Sequence, residues 1–259
     1  MKKVKAKKHL GQHFLKDESI CLRIEQSITN HFNCFNILEI GPGTGALTKH
    51  ILNSKRDGNF YVMEVDHESI AYLNNNYPDL SSDQIIQGDF LQYDASTLFD
   101  NKPYCVVGNF PYNISSQILF RCLEYKEFIP EIVGMFQKEV AERISQGPGK
   151  KAYGILSVFM QAFYDIEYLF TVDEDVFDPP PKVKSGVIRC RRNKRVKLDC
   201  DQLFFKKVVK TAFNQRRKTL RNSLKSITNG LDLPERFTGE RPERLSVDDF
   251  VELTQFLSK

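Results

Sequence analysis

The stretch Asn36–Thr48, NILEIGPGTGALT, decides the fold. Its first five residues form a short apolar run of the length a buried strand needs. Three glycines then follow at alternate positions, Gly41, Gly43 and Gly45, and ALT opens a helical pattern. Strand, glycine turn and helix in that order begin a doubly wound sheet, because glycine lets the backbone approach a ligand and the next helix closely. The spacing is G-x-G-x-G, not the G-x-G-x-x-G of a dinucleotide fingerprint, so the turn alone is also compatible with a purely structural bend.

Outward from that turn, short apolar runs recur between helical patterns. They are NFYVMEVD (59–66), QIIQGD (84–89), YCVVGN (104–109), EIVGMFQ (131–137), IEYLFTV (166–172) and SGVIRCR (185–191). Strands alternating with helices predict an α/β, Rossmann-like, mostly parallel sheet of seven strands. The last two runs have little helix between them and predict an antiparallel hairpin at one edge. After about Arg195 the pattern is helical only, over 200–215, 217–229 and 246–258. The expected division is therefore 1–195 for the sheet domain and 196–259 for a small all-helical domain. Ser145–Lys151, SQGPGKK, reads as a flexible loop.

Composition narrows the class. Hydrophobic residues make up 41% and charged residues 27% of the chain, the balance of a soluble globular protein. No apolar run has membrane-spanning length, and the basic N-terminus lacks the apolar centre of a signal peptide. The six cysteines are scattered without a C-x-x-C, which predicts reduced thiols and a cytoplasmic location. The five histidines show no metal-ligand spacing, so no metal is expected. Nothing demands more than a monomer. The net charge of +4 is unevenly spread: Lys182–Lys225 holds 16 Lys and Arg against Asp199 and Asp201. Basic residues interleaved with apolar ones, as in LFFKKVVKTAFNQRRKTL, point to a phosphate-backbone footprint.

Carboxylates end the next two strands. Glu64 closes the second, where an acidic side chain can hold ribose hydroxyls. Asp89 closes the third, placed to accept from an adenine amine. Glycine turn, ribose carboxylate and adenine carboxylate form a nucleoside-shaped row at the carboxyl ends of the strands, where such sheets bind ligands. A pyrophosphate would ask for a basic group or an open helix N-terminus. S-adenosylmethionine, which carries a sulfonium and no phosphate, suits an acidic, glycine-lined pocket better, with Glu39 in the strand.

The fourth strand runs into GNFPYN, Gly108–Asn113. Pro111 cannot donate to a ladder and pushes Phe110 toward extended geometry, so the strand stops in a stiff tip. An adenine N6 amine is a poor nucleophile, and what it needs is acceptors: the Asn109 side-chain oxygen and the carbonyl of Phe110 or Pro111. Tyr112 can stack on a flipped base.

At these residues the chain resembles a known family. KKHLGQHFL, LEIGPGTGALT, GDF, GNFPYNISS, VFDPPPKVKSGVIR and FNQRRKTLRNSL are similar, in order and over nearly the whole length, to the ribosomal RNA adenine N6-dimethyltransferases. The resemblance implies a class I methyltransferase sheet. It implies transfer of four methyl groups from S-adenosylmethionine to two adjacent adenosines near the 3′ end of small-subunit (16S) rRNA, in the immature 30S particle during subunit biogenesis. It further implies that His13 and Leu15 contact the cofactor with Gly41, Gly43, Glu64, Asp89 and Asn109. Phe177 would be the second aromatic face of the base clamp, opposite Tyr112. QKEVAER, with Arg143, and the QRRKTLRNSL segment, with Arg216, Arg217, Lys218 and Arg221, would face RNA. Three positions depart from the family pattern: His13 for a common Asn, Phe110 for a frequent Leu, and Lys184 for a common Asp. Other readings are a large-subunit methyltransferase of the macrolide-resistance type, an assembly factor with secondary catalysis, and a nicotinamide dehydrogenase, which would leave the Asn-Phe-Pro-Tyr tip unexplained.

Overall fold

The computed structural model describes residues 4–258. NILEI is strand β2 (Asn36–Ile40), following the two-residue strand β1 (Phe14–Leu15). The expected runs become β3 (Phe60–Glu64), β4 (Ile85–Gln87), β5 (Tyr104–Asn109), β6 (Glu131–Gln137), β7 (Tyr164–Val172) and, after the two-residue β8 (Phe177–Asp178), β9 (Ser185–Arg192). Seven of them form one sheet in the order β4-β3-β2-β5-β6-β9-β7. Strands β2 to β6 pair in parallel, and β9 joins β6 antiparallel with Gln137 opposite Ser185. The α/β class and the edge position of the last two long strands follow the sequence pattern.

Strands β5 and β6 are buried along nearly their whole length, as a parallel sheet covered on both faces requires. Helix α1 (Glu18–Gln26) and α2 (Ala46–Asn53) pack against each other. Ile24, Leu47 and Ile51 on them share a core with Cys105, Val107, Val133 and Val187 of the sheet. Helix starts are set by local chemistry. Asp17 accepts from the Ser19 and Ile20 amides, and Asp66 accepts from the Glu68 amide at the start of α3 (His67–Asn76). Helix α4 (Ser115–Glu124) follows β5, and α5 (Lys138–Ser145) follows β6.

The chain separates into two compact units. One contains residues up to Ala141 together with Asp165–Arg192; the other contains Glu142–Tyr164 together with residues from Asn193 on. The second unit begins close to the expected boundary but also takes in the 142–164 segment. There α6 (Ile155–Gln161) carries Phe159, whose ring meets Phe205 of α7 (Gln202–Asn214). The expected helix over 217–229 is only α8 (Leu220–Ser223): Thr219 is extended, and Leu220 donates its amide to Glu240. Two further helices, α9 (Glu235–Thr238) and α10 (Val247–Leu257), complete the unit, and a Ser246–Asp249 capping box starts α10.

All six cysteines are free. No helix among the described residues is long and apolar enough to cross a membrane. Among them no group of three His, Cys, Asp or Glu side chains could hold a metal ion.

Candidate active site

Parallel pairing in register brings four strand ends to one edge. Ile40 lies opposite Met63, Glu64 opposite Gln87, and Val107, two residues before Asn109, opposite Glu39. A cleft of about 440 Å³ opens there. His13, Leu15, Gly41, Gly43, Glu64, Asp89, Asn109, Pro111 and Tyr112 all line it, so nearly all the expected cofactor and tip residues converge.

The glycine turn is tightly built. Gly43 has φ +56, and a Cβ there would lie 2.8 Å from the Phe14 ring. Glycine is needed for both conformation and space. The Tyr77 hydroxyl donates toward the carbonyls of Thr44 and Gly45 at 3.1 and 2.9 Å, pinning the turn from behind.

Glu64 is held by three backbone amides. Its Oε1 accepts from Val65 and Asp66, both at 2.9 Å, and its Oε2 accepts from Gly43 at 3.0 Å. A carboxylate offers about four acceptor directions, so one remains, on Oε2. Burial raises the Glu64 pKa above the ordinary value, and the three amides oppose that shift. Asp89 accepts from the Leu91 amide at 3.0 Å and from the Gln92 side chain at 3.2 Å. Glu39, at the base of the cleft, accepts from the Thr48 hydroxyl at 2.6 Å; burial pushes its pKa up to about 8.

Asn109 Nδ2 donates to the carbonyl of His13 at 2.8 Å. That bond fixes the amide and leaves Oδ1, on a residue that lines the cleft, without a partner among the described residues. Pro111 O accepts the Ile114 amide at 3.1 Å and closes the tip into a turn, in which the Phe110 carbonyl takes no part. The Phe110 ring is buried against Gly134, where a Cβ would come within 2.1 Å of it, and meets Phe136 edge-on. The larger side chain at this position is thus accommodated by a glycine on β6. Tyr112 and Ser185 share a 2.5 Å hydrogen bond, and the Tyr112 ring stacks on the His13 ring with centroids 5.4 Å apart.

A family model described as "Ribosomal RNA adenine dimethylase" matches residues 3–255. The chain belongs to that family. Among its relatives, a "Ribosomal RNA small subunit methyltransferase A" of Flavobacterium johnsoniae is 57% identical, covering 98% of this chain and 97% of its own. The protein of the same name from Parabacteroides distasonis is 56% identical over 100% and 96%. Two solved structures share the fold. A dimethyladenosine transferase from Plasmodium falciparum has a TM-score of 0.76 at 22% identity, covering 93% of this chain and 96% of its own. The 23S rRNA methyltransferase ErmE has 0.67 at 22%, covering 95% and 100%.

Two residues expected in this dimethylase family's machinery stand elsewhere. Phe177 is fully buried, lies outside the cleft wall and is paired with Leu15 between β8 and β1. Its ring fills the core with Ile24 and Val172, so no base can stack on it in this conformation. Arg216 donates to the Lys151 carbonyl at 2.6 Å and has Glu243 at 3.8 Å, so its guanidinium is engaged within the second unit. Arg143, Arg217, Lys218 and Arg221 are exposed, without an ion pair among the described residues. Lys184 pairs with Asp173 at 2.6 Å, a solvent-facing bond of small energetic weight.

The sequence pattern gave no signal for Thr48, Tyr77 or Ser185, whose roles are contacts between distant segments. Lys7 and Gln12 were equally silent. They bind Asp66 at 2.5 and 3.2 Å and tie the N-terminal strap to the start of α3. The only available hint was that both lie in the motif-rich first fifteen residues.

Proposed function

We propose that this protein dimethylates adenine N6 amines of small-subunit ribosomal RNA, with S-adenosylmethionine as donor. The substrates are two adjacent adenosines near the 3′ end, met in an immature 30S particle in the cytoplasm, and the enzyme acts as a metal-free monomer. The observation that carries this reading is the Asn109 amide, fixed by the His13 carbonyl on a cleft-lining residue, with Oδ1 unpartnered among the described residues.

The cleft fits the donor by its chemistry. Its wall holds the Glu64 and Asp89 carboxylates and, among the described residues, no Lys or Arg. That set suits a cationic ligand and offers nothing to a pyrophosphate, which disfavours a nicotinamide enzyme. S-adenosylmethionine, when bound, supplies a methyl group on a positively charged sulfur. Gly41 and Gly43 admit it close to the backbone, Glu64 Oε2 is the acceptor for a ribose hydroxyl, and Asp89 takes the adenine edge. His13 and Leu15 cover it from the strap.

The remaining work falls to the tip. Asn109 Oδ1 and the Phe110 carbonyl accept the two N–H bonds of the target amine and turn its lone pair out of the ring plane. Pro111 keeps that geometry preset. The tip contains no general base, and none is required: Tyr112 is the one titratable group there, and burial raises its pKa above that of a free phenol. The excess proton leaves to solvent once the amine is alkylated. Arg143, Arg217, Lys218 and Arg221 bind the RNA backbone.

The test is a methylation assay on small subunits lacking these modifications and, in parallel, on unmethylated large subunits, with labelled S-adenosylmethionine and nucleoside analysis of the product. N6,N6-dimethyladenosine in small-subunit RNA is the expected result. Label in large-subunit RNA alone would transfer the reading to the macrolide-resistance type. No label with cofactor binding intact would favour an assembly factor.

A further inference from the structure

The glycine turn of the cleft is built from residues that resist ordering. Gly41, Gly43 and Gly45 have φ of 66, 56 and 79°, and a backbone bond from the Gly45 amide to the Pro42 carbonyl, 2.9 Å, closes the bend. Glycines lose more conformational freedom on ordering than any other residue. A group that holds the turn beforehand spares the cofactor that loss when it binds.

We propose that Tyr77 is a positioning residue for S-adenosylmethionine: its hydroxyl holds the Thr44 and Gly45 carbonyls from behind and keeps the turn in its binding shape before the cofactor arrives. The inference rests on the functional reading above and deepens it. Tyr77 is not part of the cleft wall, so it acts through the turn and not by contact. The local sequence, NNNYPD, aims it there. Pro78 disfavours helical backbone at the residue before it, and α3 stops at Asn76, leaving Tyr77 at φ −123 and ψ 77. The half-buried ring then packs on the core of Val62, Leu73 and Leu80.

Ring and hydroxyl have separate tasks. A Cβ on Gly45 would lie 2.5 Å from the ring, so the ring fills the space that a side chain at position 45 would take. Gly45 is also the N-cap of α2 and has no side chain with which to fix that end. The Tyr77 hydroxyl supplies the missing bond, its one proton shared between Thr44 O at 3.1 Å and Gly45 O at 2.9 Å. Burial pushes its pKa up to about 12, so it stays a donor. On the cleft side Glu64 accepts the Gly43 amide at 3.0 Å. The turn is thus gripped by an N–H in front and by two carbonyls behind. Helix α3 serves both grips: it starts after Asp66, whose amide donates to Glu64, and it ends at Tyr77.

The experiment compares Tyr77→Phe and Tyr77→Leu with the unaltered protein at a temperature where thermal melts show all three folded. Calorimetry gives the Kd for S-adenosylmethionine. Hydrogen exchange reads the 41–48 amides with and without the cofactor, and assays on unmethylated small subunits give kcat and KM. Tyr77→Phe keeps the ring and loses the donor, so its Kd should be about fivefold weaker, the net worth of one hydrogen bond. Its turn amides should exchange faster without cofactor and at the unaltered rate at saturation. The kinetic loss should fall in KM for the cofactor and not in kcat. Tyr77→Leu, which also empties the space over Gly45, should bind more weakly still. A Phe variant that binds as tightly as the unaltered protein, whatever its Tm, would reduce Tyr77 to packing and overturn the proposal. So would a fall in kcat at unchanged Kd. An unaltered protein that neither binds the cofactor nor transfers a methyl group overturns the functional reading itself; an active protein with a flat Tyr77 series overturns this inference alone.

Discussion

Asn109 and His13, 96 residues apart in the chain, are joined by one hydrogen bond from the Asn109 amide nitrogen to the His13 carbonyl. It orients the acceptor of the active-site tip using a group that no substitution at position 13, short of altering the backbone, removes.

Asn109→Asp should expose the importance of that orientation. A carboxylate cannot donate to the His13 carbonyl, and it places negative charge against a carbonyl oxygen. Methyl transfer should fall by about 10²–10³-fold, the usual cost of a lost preorganised contact. Cofactor affinity should change far less. Paired kinetics and calorimetry would check this, and equal losses in both would show that Asn109 serves cofactor binding instead.

Glu39 predicts a pH dependence of stability. Burial raises its pKa to about 8 in the folded protein, from the ordinary 4.5. The folded state therefore holds a proton that the unfolded chain releases. This contribution is fully present below about pH 4.5 and is lost as the pH rises through about 8. Glu39→Gln removes the titration and keeps an acceptor for Thr48. Its Tm should match the unaltered protein near pH 5 and exceed it near pH 8.5. Parallel Tm profiles for the two proteins would refute the assignment.

Phe177→Ala should destabilise by about 3–5 kcal/mol, the cost of emptying a large core site. Phe177→Leu should recover most of the Tm and most of the methylation at a temperature where both proteins are folded. A Leu variant that is stable but inactive would instead return Phe177 to the base clamp.

Arg217 and Arg216 should part company in salt titrations. Each phosphate contact contributes about −0.9 to the log–log slope of RNA affinity on duplex and about −0.7 on single strands. Arg217→Ala should flatten the slope by about one such contact with unchanged Tm. Arg216→Ala frees the Lys151 carbonyl and Glu243, so its main effect should be a lower Tm. The reverse pattern would exchange their roles.

These contrasts mark what a one-dimensional reading could reach. Long strands with continuous burial wrote themselves into the sequence: NILEI, YCVVGN and EIVGMFQ have the observed bounds of β2, β5 and β6. Residues at strand ends were legible for the same reason, since Gly41, Glu64, Asp89 and Asn109 each close a recognisable run. The β1–β8 pair was not legible, because two residues carry no periodicity. Without that pair, nothing in the sequence says that Phe177 is packed opposite Leu15. Arg216 failed similarly: an arginine in a basic run looks like its neighbours until a carbonyl 65 residues away is known to accept from it.

The 142–164 segment interrupts the sheet unit but packs with the helices that come after residue 193. Tyr153 and Phe159 present their rings to Phe213 and Phe205, more than forty residues downstream. A fragment cut at residue 195 would therefore keep these side chains and lose what covers them. The two units are therefore not separate gene fragments: to isolate the sheet, an engineer must excise the internal 142–164 segment as well as the tail, and rejoin Ala141 to Asp165.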